Sequence, residues 1–482
     1  MINKYFKLFC AFVILTFGLI YMGAGVYFNW LSFDELYVRP DLLIGLGSIA
    51  AMALTYLLTS QKLSTRVFII SLLGVSFLVR ILWVLYVPAQ PVSDFYILHR
   101  ASMSASEGNF AFMESDYFQR WVYQLGFVMY QAFLLFIFGD QLFPLQLINI
   151  LLSCATVFIV YKIGVQLFNE RVGRLSGIVY TFYLPTIIMT SLLTNQILAT
   201  FLFYLGAYLL VRHFEKSTWV WAVIGVLFAF GHIIRPLGPF VLLATGLFIF
   251  VVFMLGKRLR EALFSAGKLA GVIATYSLVL FIVSQSLMLS GVSDYPLENR
   301  DPLWKFVIGL NHETSGTYSD SDLKLLNQYE GEERVEKERE LIEERLEDPS
   351  RLVELFRDKF EMMWANLDAS VIWGYGDRNE NVKERLFQLE KAMYFPLFLY
   401  GGLGILGLFV VLKRNAQDPK QLALFFVLFI IGYAMIHLLI EIQTRYRFVL
   451  MPSLIVIQSY GVYMLYEGIN KLKSRIDSRK VE

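Results

Sequence analysis

The sequence predicts an all-α polytopic membrane protein, and three observations carry that prediction. Of its 482 residues, 57% are hydrophobic and 17% charged, whereas soluble domains run to about 45–50% apolar and about 25% charged. The apolar residues gather into runs of roughly 16 to 24, the length a helix needs to cross about 30 Å of hydrocarbon. The Lys and Arg residues between those runs also fit one alternating topology.

Twelve runs are clear: 8–30, 42–58, 67–87, 145–168, 175–190, 197–211, 219–234, 236–255, 269–289, 393–412, 422–440 and 448–466. The first follows Lys4 and Lys7, as a secretory signal would. It is longer than the roughly 7–15 apolar residues of a signal core and no small-x-small cleavage site follows, so it reads as a retained anchor. A further run, 121–138, decides the orientation of everything after it. If it does not cross and the N-terminus is cytoplasmic, the inner loops hold Lys62 and Arg66, Arg171 and Arg174, Arg212 and Lys216, Lys257 to Lys268, Lys413 to Lys420, and the tail from Lys471 to Lys480. If it crosses, the most basic loops face outward, against the positive-inside bias. The prediction is therefore about 12 transmembrane helices (13 if 121–138 crosses), with both termini cytoplasmic and 121–138 lying as an amphipathic segment in the outer interface.

This topology divides the chain into three N-terminal spans (1–87), a first large outer loop (88–144), a transmembrane core (145–289), an outer soluble helical region (290–392), and C-terminal spans with a basic tail (393–482). Within the outer region, 330–348 is too rich in Glu, Lys and Arg to be buried in lipid. Glu333 and Lys337 stand one turn apart, and Val335, Ile342 and Leu346 make a weak apolar stripe, which predicts a solvated amphipathic helix. Pro349 closes it and opens another over 351–366, with Leu352, Leu355, Phe356 and Met363 on one face.

Several function classes lose support. Cys10 and Cys154 both lie in predicted spans, so neither a disulfide framework nor a cysteine zinc site is indicated. The five histidines are scattered without metal-ligand spacing, and a net charge of +2 makes no case for nucleic acid. There is no Walker A pattern, no dinucleotide glycine fingerprint and no internal repeat.

The informative polar residues are those delivered to the outer membrane edge. Asp94 follows the third span in the segment Pro91-Val-Ser-Asp-Phe-Tyr96, and a helix over 94–107 sets Phe95, Leu98 and Met103 toward the membrane surface. A carboxylate there suits a base acting on a hydroxyl, and it also suits a helix N-cap. At the same level stand Asp116 and Arg120, Asn195 and Gln196, His232 and Arg235, and Glu441, Gln443, Arg445 and Arg447. Interfacial Arg can grip a phosphate bidentately or anchor by snorkelling. Arg80, inside the third span, reads as a snorkel or a buried ion pair.

The segment Pro91-x-x-Asp94-Phe-Tyr-x-x-x-x-Ala101, with Gly108 after it, opens an ordered set of features. Gly126 and Tyr130 precede Phe138-Gly139, and Asn169-Glu-Arg-Val-Gly-Arg-Leu-Ser-Gly177 follows. Then come Tyr183-Leu-Pro185, Arg235-Pro236-Leu-Gly238, Trp304 with Gly309-Leu-Asn311, and Gln443-Thr-Arg445-Tyr446 with Pro452. In this order the chain resembles membrane glycosyltransferases of the GT-C superfamily, in the branch of protein O-mannosyltransferases and lipid A aminoarabinose transferases. The resemblance implies a GT-C-like helical fold and a glycosyltransferase that moves a sugar from a polyprenyl-phosphate donor to an acceptor hydroxyl on the outer face, with inversion. It implies Asp94 as the base, with Arg235 and Arg445, then Arg120, on the donor phosphate. Asp116, Gln196, His232, Glu441, Gln443 and Tyr446 are further candidates around them. Phe95 stands where some relatives carry Glu, a departure from the protein O-mannosyltransferase pattern, and Gln196 stands where many carry Glu, which removes an acidic partner and leaves divalent-metal dependence open; Asp116 is the candidate second carboxylate. The implied partners are the lipid-linked donor, membrane lipids, and an acceptor protein, glycan or wall polymer. A lipid-linked sugar flippase or an O-antigen ligase or polymerase are the alternatives.

Overall fold

The computed structural model describes residues 2–35, 47, 49–52, 55–56, 59 and 63–479. All regular structure among them is helical. The predicted span 42–58 and Lys62 fall largely outside the described residues, as does the end of the basic tail.

Eight helices are long and apolar enough to cross a membrane: Tyr5–Leu31, Thr65–Tyr86, Leu142–Leu167, Gln196–His213, Leu259–Leu289, Glu380–Arg414, Pro419–Leu439 and Thr444–Ser478. Each overlaps a predicted run. Two further runs form shorter apolar helices, Val220–Ile234 and Gly238–Met254, so the described residues do not establish twelve full spans.

The run 175–190 is broken rather than straight. Glu170–Phe182 and Leu184–Ser191 meet at 60°, because Pro185 in the first turn of the second piece brings no N–H to continue the first. Arg80 is fully buried against this break. Its guanidinium donates to Ser153 Oγ at 2.7 Å, the Thr181 carbonyl at 3.2 Å and Thr186 Oγ1 at 3.1 Å. Among the described residues it meets no acid, and rather than reaching outward as a snorkel it satisfies oxygens that the broken helix leaves over.

Beyond the break, the non-helical stretch that follows Ser191 is held in the same manner. Gln146 donates to the Ser191 carbonyl at 2.8 Å, Asn149 to that of Leu192 at 3.1 Å and Gln131 to that of Leu193 at 3.4 Å. This fixes the approach to Asn195 and the start of the helix Gln196–His213.

Two expectations about amphipathic faces need correction. The helix Val122–Phe138 is apolar on both sides: Leu125, Phe127 and Val128 are buried in protein, while Phe133, Phe136, Ile137 and Phe138 are exposed. Its outward face is therefore hydrocarbon-compatible rather than polar. The predicted helix after the third span forms as Asp94–Ser106, but Phe95 and Leu98 are buried within the protein rather than laid on a membrane surface. That helix packs on Leu125–Phe138.

Between the spans ending at Leu289 and starting at Glu380 lies a helical region containing Trp304–Gly309, Asp320–Leu326, Gly331–Leu346, Pro349–Trp364 and Ala369–Tyr375. The two charged-segment helices form where predicted. On the first, however, Glu338 and Leu341 are the buried residues and Val335 and Leu346 are exposed. Glu338 turns inward because it meets Arg334 (3.2 Å), which also reaches Asp301 (3.5 Å).

The region docks on the bundle through backbone as well as side chains. The Glu441 N–H donates to the Lys305 carbonyl at 2.8 Å and the Ile442 N–H to that of Gly316 at 2.9 Å. Lys359, buried, donates to the carbonyls of Gly309, Leu438 and Ile440. Gly309 allows this approach, since a Cβ there would lie 2.3 Å from the Ile440 carbonyl carbon.

Candidate active site

Asp94 is the first residue of its helix, and no side-chain cap bond forms at Ser93 before it. Its carboxylate instead faces Arg445, whose Nη2 lies 3.2 Å from Oδ2. The preceding Ser93 holds φ +52°, a left-handed backbone that costs a residue with a Cβ roughly 1–3 kcal/mol and persists only where its surroundings enforce it. The Asp94 side chain remains 42% exposed, so a substrate can reach it.

Arg445 sits in an aromatic box. Its guanidinium carbon lies 4.9 Å from the centre of the Trp373 ring, 5.1 Å from Phe95 and 5.7 Å from Tyr446. Stacked faces suit the flat guanidinium and orient its edge. Its Nε is buried without a hydrogen-bond partner among the described residues.

Tyr446 links this pair to the other expected residues. Arg235 lies over its ring at 5.2 Å and donates to Asn195 Oδ1 at 3.0 Å. The Tyr446 hydroxyl meets Glu441 Oε2 at 3.3 Å, and Gln443 donates to Glu441 Oε1 at 2.6 Å. Lys305 forms an ion pair with Glu441. Burial opposes charge on both partners, and the pairing outweighs it: Lys305 is held above its ordinary range and Glu441 below. Both are charged at neutral pH.

Two tyrosines complete the surroundings. Burial, followed by the nearby Asp94 carboxylate, raises the Tyr117 hydroxyl well above the usual range, against Arg445 and Lys305. It is thus a neutral hydroxyl beside the acid, and it accepts from Gln124 at 3.2 Å. Tyr318, half exposed, is raised by burial and by Asp320, with Asp94 contributing.

The structure therefore brings Asp94, Arg445, Tyr446, Arg235, Glu441 and Gln443 together. Among the described residues, no hydrogen bond or ion pair joins Arg120, Asp116, His232 or Gln196 to this group. Arg120 is taken up by Asp301, with Nε at 2.8 Å, and lies between Trp121 and Trp304 at 4.9 and 5.4 Å. Asp116 is 79% exposed and, among the described residues, forms an ion pair with Arg120 alone, at 3.5 Å. His232 accepts from the Gly238 N–H at 3.2 Å, closing a turn. Gln196 is buried with neither amide atom paired among the described residues. No cluster of His, Cys, Asp or Glu suited to a metal occurs among the described residues.

Sequence reasoning missed Lys305 and Trp373. Lys305 adjoins Trp304, which had been noted, but its partner Glu441 is 136 residues away. Nothing local signals Trp373.

Among curated proteins, none matches the chain. Residues 126–285, about a third of the chain, match the model of the dolichyl-phosphate-mannose-protein mannosyltransferase family. That stretch contains Asn195, Gln196, His232 and Arg235. Over this stretch the chain is similar to a membrane glycosyltransferase family of the GT-C type, and the stretch is set in an all-helical bundle with eight helices long and apolar enough to cross a membrane among the described residues.

Proposed function

We propose that the protein transfers a sugar from a polyprenyl-phosphate donor to an acceptor hydroxyl on the outer face of the membrane, with inversion and with Asp94 as the base. The observation that carries this reading is the Asp94–Arg445 pair at 3.2 Å: an accessible carboxylate beside a buried, aromatic-boxed cation whose Nε has no partner among the described residues. In a single displacement, the acceptor oxygen attacks C1 while Asp94 takes its proton. The C1–O bond to phosphate breaks, and the electron pair leaves on the phosphate oxygen.

Cations near that oxygen lower the barrier by meeting charge as it develops. Arg445 and Arg235 suit this role. Arg120 does not, because Asp301 already holds it. Lys305 and Glu441 fix Tyr446 between the two arginines rather than acting on substrate. With both termini cytoplasmic, as the loop charges favour, the site opens outward. The acceptor is a protein, a glycan or a wall polymer.

The test is Asp94→Asn in purified protein reconstituted with a polyprenyl-phosphate sugar. Transfer is expected to fall about 10²–10⁴-fold, the range typical of general-base loss, with the protein still folded. A folded Asp94→Asn protein that transfers at the normal rate refutes the mechanism. Mass spectrometry of envelope glycans and glycoproteins with and without the gene identifies the acceptor.

A further inference from the structure

Two residues beyond Arg445 lies a second arginine that faces the other way. Arg447 is fully buried, and so are both acids that meet it, Asp368 and Glu390. Its Nη2 donates to Glu390 Oε1 at 3.0 Å, and its Nη1 donates to the carbonyls of Asn366 (2.8 Å) and Met363 (3.2 Å). Its Nε lies 3.4 Å from Asp368 Oδ2, and its guanidinium sits 4.1 Å from the centre of the Tyr394 ring. Glu390 Oε1 also accepts from the Asp368 N–H at 2.8 Å and from the Tyr394 hydroxyl at 2.7 Å. Burying a guanidinium with two carboxyl groups costs free energy that a well-packed apolar trio would not, so stability alone is a poor account of them.

What the cluster connects is specific. Asp368 Oδ1 caps the helix Ala369–Tyr375 by accepting from the Ser370 N–H at 2.8 Å. That helix carries Trp373, one wall of the box around Arg445. The Ala369 N–H donates to Thr444 Oγ1 at 3.1 Å, tying the same helix to the residue before Arg445. Arg447 thus pins the short helix Thr444–Leu450 from behind. Trp373 and Thr444 set it from the side.

We infer that the Arg447–Asp368–Glu390 cluster is a positioning device that holds Arg445 on Asp94, with Arg447 acting on the reaction only through Arg445. The inference rests on the proposed transfer reaction for its activity readout but has a structural readout of its own. A misplacement of about 1 Å in a reacting constellation can cost 10²-fold in rate.

The test uses full-length protein in lipid nanodiscs, comparing Arg447→Lys, Glu390→Gln, Arg445→Lys and the two doubles that carry Arg445→Lys. Lysine keeps the charge of Arg447 but cannot span two carbonyls and two carboxylates at once. The expected loss in kcat/KM is roughly 30- to 100-fold for Arg447→Lys and about 10-fold for Glu390→Gln. Each double is expected to lie within about 3-fold of Arg445→Lys alone, because a residue that acts through Arg445 has little left to remove. Hydrogen exchange over 91–98 and 444–447 is expected to quicken in both single variants, with the spans unchanged. Losses that multiply in the doubles, or wild-type turnover in folded single variants, overturn the inference. If Arg447→Lys does not fold, Glu390→Gln and its double decide by the same criteria. If the wild-type protein transfers no sugar from the lipid donor, the functional reading fails by itself. Exchange then decides the cluster, and unchanged exchange over 91–98 in the folded variants refutes it.

Discussion

Replacing Arg445 with Lys separates geometry from charge. The Arg445–Asp94 contact is 3.2 Å, and Asp94 is 42% exposed while Arg445 is nearly buried. Coulomb's law at that distance gives roughly 1–5 kcal/mol for an effective dielectric constant between about 80 and about 20. The exposure of Asp94 screens the pair and places it at the lower end, about 1 kcal/mol. Lysine retains part of that attraction. It cannot stack flat between Trp373 and Phe95, and its three N–H bonds radiate from one tetrahedral nitrogen instead of forming the planar fork that offers separate nitrogens to Asp94 and to a departing phosphate. Losing one oriented donor on developing charge costs about 10²–10³ in turnover in comparable sites. The expected outcome for Arg445→Lys is therefore a loss of about 100- to 1,000-fold in kcat/KM. The assay is steady-state transfer from a polyprenyl-phosphate sugar in nanodiscs, with thermal melting as the control for folding. A folded Arg445→Lys protein within about 3-fold of wild type refutes the assignment of Arg445 to the reacting phosphate.

Two further predictions concern the scaffold. Burial, and then the Asp301 carboxylate, raise Glu338 from 4.5 to about 7, against Arg334 and Arg120. A carboxyl that binds its proton more tightly folded than unfolded loses stability for the protein as pH climbs from about 4.5 to about 7. The effect amounts to at most roughly 3 kcal/mol and levels off above that window. Denaturation midpoints of wild type and Glu338→Gln across pH 4.5–8 are expected to diverge, the variant showing the shallower slope, and parallel curves dismiss the claim. Within the bundle, Gly461 faces the backbone of a neighbouring span, where a Cβ would lie 1.8 Å from the Tyr400 carbonyl oxygen and 2.8 Å from the Gly404 nitrogen. Gly461→Ala is expected to cost about 1–3 kcal/mol or more by forcing two helices apart, read as a lowered melting temperature in detergent, and an unchanged melt shows that the helices can part freely.

The sequence carried much of the bundle because a long apolar helix is written locally, as a run of the right length. That is why the runs 8–30, 67–87 and 145–168 all reappear as helices. Hydropathy does not encode where such a helix breaks. The 60° bend came from Pro185 together with a distant side chain, Arg80, which stabilises the opened turn. Likewise Asp94, Arg235 and Arg445 were legible as edge residues, since each follows or precedes a run. The fate of Arg120 was not legible, because its partner Asp301 is 181 residues away and belongs to a different segment. Pairings of this kind depend on the docking of the 290–379 region, which no local pattern describes.

The family match and the candidate site overlap only in part, and the way they join has a physical meaning. Residues 126–285 supply Asn195 and Arg235 but neither Asp94 nor Arg445. The acid and its cation come from opposite ends of the chain, 351 residues apart, and meet the matched stretch at the ring of Tyr446, where Arg235 stacks. Tyr446 in turn is held by Glu441, whose charge is fixed by Lys305 from the 290–379 region. The matched helices therefore offer one cation to the cleft. The acid, the second cation and the brace between them come from segments flanking the match. Separate segments can hold such a constellation only if each is anchored behind the residue it presents. Ser93 is held in a left-handed turn before Asp94, Asn195 follows a backbone satisfied by three amides, and Arg445 precedes a buried arginine with two acids.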